Sequence, residues 1–147
     1  EHAEQELKRS VRYGHSLVML SLDIDYFKEI NDCYGHEAGD QALIEFVNCC
    51  GKALRSSDFL GRIGGEEFLI LLTNSDLDSG RLTAERLRTA VKEMVLDYNG
   101  QTIRLTVSIG LTLFRSAGDT LGEMMRRADH ALYGAKARGR DQVVQEL

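Results

Sequence analysis

Four carboxylates arranged as two close pairs are the chemically conspicuous side chains of this sequence. Asp23 and Asp25 close a compact apolar run, Leu17 to Ile24, while Glu66 and Glu67 follow directly on Gly64-Gly65. If the two segments that carry them pair side by side, the acids converge at one end of a sheet. Like charges at such range repel, so the cluster is costly unless a cation neutralises it. Hard oxygen donors suit magnesium, which keeps several waters and takes its remaining oxygens from substrate phosphate. Two such ions can bridge the attacking and the leaving oxygen of an in-line displacement at phosphorus. Any one of these acids taken alone reads as a solvated strand end or turn residue.

Hydrophobic periodicity indicates the elements that must deliver these acids. Leu17 to Ile24 reads as a buried central strand. A short helix is expected from Tyr26 to Asp32, broken near Gly35. Ala38, Ala42, Leu43, Phe46, Val47, Cys50 and Leu54 share one face of a helix over Glu37 to Leu54. Phe59 to Ile63 and Glu67 to Leu72 read as a hairpin about a Gly64-Gly65 turn, because two-residue hairpin turns need positive φ. Ala84, Leu87, Val91 and Met94 mark a further helix. The alternation of Ile103, Leu105, Val107 and Ile109 with Thr102, Arg104, Thr106 and Ser108 predicts one half-buried strand. Thr120 and Glu123 form a capping-box pattern ahead of Leu121, Met124, Ala128, Ala131, Leu132 and Ala135. Ala3, Leu7 and Val11 suggest a short opening helix that ends at Tyr13-Gly14. The expected fold class is therefore α+β, with a central mixed or antiparallel sheet flanked by helices. A doubly wound parallel sheet is disfavoured, because hairpin strands cannot be parallel neighbours.

The chain has 147 residues without repeat, low-complexity tract or linker, and reads as one domain over 1–147. Apolar residues at 43% and charged residues at 28% fit an ordinary soluble globular protein. No run is long and apolar enough to span a bilayer. A net charge of −5 argues against non-specific binding to a nucleic-acid backbone, though not against a nucleotide substrate. Cys33, Cys49 and Cys50 form no CxxC pair, and His2, His15, His36 and His130 are scattered, so a zinc site is not expected. The cysteines read as reduced thiols of a cytosolic protein.

Four segments together carry a family resemblance. Gly64-Gly65-Glu66-Glu67-Phe68 is the GGEEF form of the signature of the GGDEF domain, the diguanylate cyclase family. Upstream, Asp23-Ile24-Asp25-Tyr26-Phe27-Lys28-Glu29-Ile30-Asn31-Asp32 resembles the DxDxFKxxND segment of that family, and Gly35-His36-Glu37-Ala38-Gly39-Asp40 its GHxxGD element. Ala128 to Arg140 resembles its ADxALYxAKxxGR segment. A lone glycine pair is weak; these segments in this order and spacing are specific, and they cover essentially the whole chain from the opening helix onward.

The resemblance implies a nucleotidyl-cyclase or palm-like fold with a ferredoxin-like core, and condensation of two GTP into cyclic di-GMP and two pyrophosphates. It implies Mg2+ or Mn2+, two ions per site, with Asp23 and Glu66 as side-chain ligands and the Ile24 carbonyl as a third. Glu67 is implied as contact to the second ion or as base for the 3'-hydroxyl. Asn31 and Asp40 fall where the family reads guanine; a carboxylate accepts from the base N1–H and exocyclic amine, which adenine does not offer. Phe27, Lys28, Gly64, Gly65, Lys136 and Arg140 fall at positions that hold phosphate, the cations as charge-assisted donors. Taken alone, Asn31 reads as a helix-end cap, Asp40 as a first-turn acid and the two cations as a solvated helix end.

A product ring needs two phosphodiester bonds, so the resemblance also implies a two-fold homodimer. Arg55-Ser56-Ser57-Asp58 matches the RxxD inhibitory motif of the family, where Arg55 and Asp58 would bind cyclic di-GMP, joined by Arg86 from a neighbouring domain. The LTGLxNR-type segment that usually opens the family falls before this chain begins. A domain excised from a longer cytoplasmic protein is expected, any membrane anchor lying in absent parts. Asp141 stands where the family commonly has Asn, a departure expected to have little effect. The alternative reading is a catalytically weak receptor for GTP or cyclic di-GMP, which the intact signature disfavours.

Overall fold

The computed structural model describes residues 4, 5, 8, 9, 12, 14–115 and 118–147. Ala3, Leu7, Val11 and Tyr13, on which the opening helix was expected, lie outside the described residues. Strand β1 spans Leu17–Ile24 and is buried at every position. It can be apolar on both faces because both are covered. Val18, Leu20, Leu22 and Ile24 pack into one cluster with Phe46 and Leu87, while Leu17 and Met19 pack on the opposite face with Met124 and Ala128. Each fully buried leucine of this kind contributes roughly 1.5–3 kcal/mol.

After β1 come helix α1 (Phe27–Tyr34) and helix α2 (His36–Ala53), then the hairpin β2 (Phe59–Gly64) and β3 (Glu67–Thr73). Helix α3 (Leu77–Glu93) leads to a small separate hairpin, β4 (Leu96–Tyr98) and β5 (Gln101–Ile103), and then to β6 (Val107–Leu113). Helix α4 (Leu121–Ala137) and strand β7 (Val143–Gln145) complete the chain. The main sheet runs β2-β3-β1-β6-β7, antiparallel throughout except for the β6–β7 pair. The series β1-α2-β2-β3-α3-β6 in this strand order is the ferredoxin-like core. Helices α2 and α3 cover one face, and α4 covers the other against β6 and β1.

One local signal acts as read: Thr120 Oγ1 accepts from the Glu123 N–H (3.1 Å). Asp76, not singled out from the sequence, caps α3 by accepting from the Ser79 N–H (2.9 Å). Three expectations are corrected. The alternating segment Thr102 to Ile109 is two strands, because the chain leaves one sheet at Ile103 and enters another at Val107. The hairpin turn is formed by Gly65 and Glu66, since Gly64 still pairs with Glu67 across a bulge that follows Arg62. Val47 lies at the edge of the α2 stripe and is 38% exposed, the buried face being the narrower line Ala38, Ala42, Phe46 and Cys50.

Candidate functional site

Register places the acids. Asp23, near the end of β1, is the cross-strand partner of Glu67 at the start of β3, and Glu66 precedes it in the turn. The Glu66 carbonyl accepts from the Ile24 N–H (3.3 Å), which ties the hairpin tip to the end of β1. Phe68 anchors the tip from below: its ring packs on Phe46 of α2, centroids 4.9 Å apart. Asp23 lies on the strand face that meets α4, and Lys136 near the end of α4 pairs its ammonium with the Asp23 carboxylate. One turn-pair higher on the same face, Ser21 Oγ donates to Asp129 Oδ1 (2.7 Å), a second tie between β1 and α4.

A cavity of about 210 Å³ opens at this end of the sheet. Asp23, Ile24, Glu66, Lys136 and Arg140 all face it, with Phe27 and Lys28 at its α1 side. Burial pushes the Asp23 carboxyl above its ordinary range; the Lys136 hydrogen bond and charge oppose this, and the charges of Glu66 and Glu67 reinforce it. The site thus holds more negative charge than its one paired lysine neutralises. A divalent cation fits that donor set. Among the described residues no cluster of three or more His, Cys, Asp or Glu side chains could hold a metal by itself. Two carboxylates and a main-chain carbonyl, with phosphate and water completing the sphere, suit Mg2+ better than a dedicated protein cage. Asp25, though adjacent, is not available: it accepts from Thr106 Oγ1 and Ser108 Oγ (2.7 Å each) and from the Asp141 N–H (3.0 Å). Its work is to fix the end of β1.

The remaining matched residues fall into place unequally. Gly65 has φ +55 and needs to be glycine for its backbone, whereas Gly64 does not lie at positive φ. No heavy atom lies within 4 Å of where a Cβ would stand on either, so the space over the tip is open to a ligand. Glu67 is exposed and does not line the cavity. Neither Asn31 nor Asp40 lines it; they sit on α1 and α2 at either side of the corner at Gly35. Gly39, beside Asp40 in α2, lies against Asn31 and the Phe27 ring. A Cβ there would stand 1.8 Å from Asn31 Oδ1 and 3.3 Å from the Phe27 ring. His36 is exposed at the first residue of α2.

Arg55 and Asp58 form a turn satisfied from within. Asp58 accepts from the Arg55 N–H (2.9 Å), the Arg55 guanidinium and the Thr73 N–H (3.2 Å), and Arg55 also donates to the Thr73 carbonyl and Ser75 Oγ. The Asp58 side chain is 2% exposed and that of Arg55 is 56% exposed, so only the arginine presents itself to solvent. Arg86, on α3, lines a shallow hollow with Glu85 and Glu93. Asp141 pairs with Arg88 (2.8 Å) and Lys92 (2.9 Å) of α3. A larger cavity of about 800 Å³, beyond Asp25 and Tyr26, is lined by Arg88, Lys92 and Arg104 and by none of the matched metal or phosphate residues.

Comparisons with known proteins point to one family. The family model described as "Diguanylate cyclase, GGDEF domain" matches residues 1–142. The chain is 44% identical over 144 residues to Diguanylate cyclase DgcP of Pseudomonas aeruginosa, covering 97% of this chain and 21% of that protein. It spans about a fifth to a third of the length of the first curated relatives it matches. Among solved structures it is similar to the GGDEF domain of DgcB from Caulobacter crescentus in complex with c-di-GMP. That match has TM-score 0.91 and 30% identity, over 97% of this chain and 84% of the other. It is also similar to the active GGEEF domain of a diguanylate cyclase from Vibrio cholerae, with TM-score 0.89 and 31% identity, over 97% of this chain and 90% of the other.

Proposed function

This chain belongs to the GGDEF domain, or diguanylate cyclase, family, and we propose that it condenses two GTP molecules into cyclic di-GMP in a homodimer. In each of the two steps a ribose 3'-oxygen bonds to an α-phosphorus while the bond to the bridging oxygen of pyrophosphate breaks. The pyrophosphate leaves with the electron pair, and the hydroxyl proton passes to a base. The family's use of a divalent metal points here to two Mg2+ or Mn2+ ions, which Asp23, Glu66 and the Ile24 carbonyl would hold, with Glu67 at the second. Such ions supply charge neutralisation at the phosphoryl oxygens.

The chain's own residues do the rest of the work. Lys136 and Arg140 bring positive charge to the terminal phosphates, with Lys28 beside them. Open space over Gly64 and Gly65 lets the backbone approach the triphosphate. Asn31 and Asp40 read the guanine edge, and Glu67 takes the proton or steadies the second ion. Phe27 closes the cavity toward α1. The observation that carries the reading is the meeting of Asp23, Glu66, Lys136 and Arg140, from three separate segments, at one cavity.

The Arg55–Asp58 turn is our candidate for a product site that restrains turnover, with Arg86 contributed by a neighbouring domain. Its support is the exposed Arg55 guanidinium, which already forks between acceptors. Cyclic di-GMP bound to the Caulobacter domain shows that a family member takes this ligand.

The test is incubation of the chain, free and fused to a dimerising partner, with GTP and Mg2+, followed by identification of the product. Cyclic di-GMP should form in the forced dimer, and Glu66→Ala should lower its rate by about 10²-fold or more. GTP bound without turnover in the forced dimer would replace the cyclase reading with that of a receptor.

A further inference from the structure

The segment that carries Arg140 is held in an unfavourable backbone conformation by contacts that include two residues outside the nucleotide cavity, Arg88 and Lys92. Gly139, Arg140 and Asp141 have φ of +112, +66 and +47, and Tyr26, against which Arg140 packs, has φ +56. Consecutive non-glycine residues in the left-handed region do not stay there unless their surroundings impose it. Here the surroundings are identifiable. The Asp141 carboxylate is pinned between Arg88 (2.8 Å) and Lys92 (2.9 Å) of α3, and its N–H donates to Asp25 Oδ2 (3.0 Å). Asp25 is itself fixed by Thr106 and Ser108. Gln142 Nε2 donates to the Arg140 carbonyl (3.1 Å), holding the same peptide from the other side.

The Arg140 side chain, by contrast, is left uncommitted. Its guanidinium lies 4.7 Å from the centroid of the Tyr26 ring, facing the cavity, and among the described residues it forms no ion pair with a carboxylate. Backbone clamp and free cation belong together: the clamp fixes the direction in which the guanidinium projects, and the stacking holds it there. Asn at position 141 supplies one neutral acceptor for two cations, so the negative charge at this position is particular to the clamp.

We propose that Asp141 is a positioning residue for phosphate binding, acting through the Arg88–Asp141–Lys92 ion triad to aim Arg140 at the nucleotide. The inference rests on the GTP reading above and deepens it, since it separates how this chain holds the phosphate end from how it holds the base.

Binding to a GTP analogue with a methylene between the α- and β-phosphorus, which stops turnover, tests this alongside binding to guanosine. Asp141→Asn keeps the tolerance of position 141 for positive φ while removing its charge. It should weaken the analogue roughly three- to tenfold and leave guanosine unchanged. Arg88→Met with Lys92→Met, which leaves the segment itself intact, should reproduce that split, and Asp141→Asn should add nothing in an Arg140→Ala background. Equal loss for analogue and guanosine, no loss for either, or a normal affinity in the Arg88/Lys92 variant would each overturn the assignment. Failure of the GTP reading looks different: the unaltered chain then binds neither ligand, and the proposal falls with it.

Discussion

Gly39 shows how a residue with no side chain leaves room for one proposed to read the base, Asn31. The Cβ that alanine would add falls 1.8 Å from Asn31 Oδ1, on the far end of a flexible side chain. The amide can swing aside, so the fold should lose little, and alanine in a helix is favoured over glycine by up to about 1 kcal/mol. The cost falls instead on recognition. We expect Gly39→Ala to weaken GTP roughly tenfold and to narrow its margin over ATP, with a thermal midpoint close to the parent. Asn31→Ala should do the same, and the double variant no more than either. Fluorescence titration with both nucleotides checks this; unchanged GTP affinity in Gly39→Ala would show that Asn31 does not read the base. The same reasoning separates Gly65, whose φ of +55 demands glycine, from Gly64, where only the open approach to the tip does.

Helix α4 delivers Lys136 and Asp129 to β1, and its seat on the sheet depends on Gly110. A Cβ there would lie 2.1 Å from the Ala128 carbonyl oxygen and 2.3 Å from the Leu132 nitrogen, backbone atoms that cannot yield by rotation. Gly110→Ala should therefore lift α4 and cost about 1–3 kcal/mol, read as a lower urea midpoint. Gly122→Ala, on α4 with only Thr120 Oγ1 in ordinary van der Waals reach (3.9 Å), should be neutral or mildly stabilising. Equal midpoints for the two variants would contradict this packing. Such contacts mark where sequence stops being informative. The run Leu17–Ile24 is legible because burial on both faces leaves it uninterrupted, and the acids are legible because they sit at its end and at a glycine turn. The break at Arg104 to Thr106 is not, since alternation continues through it while the chain changes sheets. Strands β4 and β7 have three residues each, too few to show a period. The duties of Asp25 and Asp141 were hidden for another reason. The side chains that hold Asp25 lie 81 and 83 positions away, and Asp141 lies 116 positions from Asp25 and 53 from Arg88.

The cavity at the acids measures about 210 Å³, below the usual range for a complete small-molecule pocket, about 300–1,000 Å³. On the proposed reading, that fits a site that grips the triphosphate end and leaves the ribose exposed, with guanine over the α1–α2 corner. An exposed 3'-hydroxyl is unproductive unless a second copy sets its own α-phosphate opposite, and each copy carries a formal charge of −5 before nucleotide is added. Self-association of the chain alone should therefore be weak, and turnover should follow the dimer rather than the total protein. We expect the specific activity of the free chain to rise nearly in proportion to its concentration across the range where sedimentation finds it monomeric. Fusion to a dimerising partner should flatten that line, because the encounter becomes intramolecular and its effective concentration reaches about the millimolar range. A forced heterodimer of one unaltered copy and one Glu66→Ala copy is a sharper version: its activity should fall as in the doubly substituted dimer, because the unaltered site then lacks an intact partner, whereas a copy that completed both bonds alone would stay active. A free chain whose specific activity is flat over the monomeric range would mean that a single copy completes both bonds, which a lone cavity of this size does not allow.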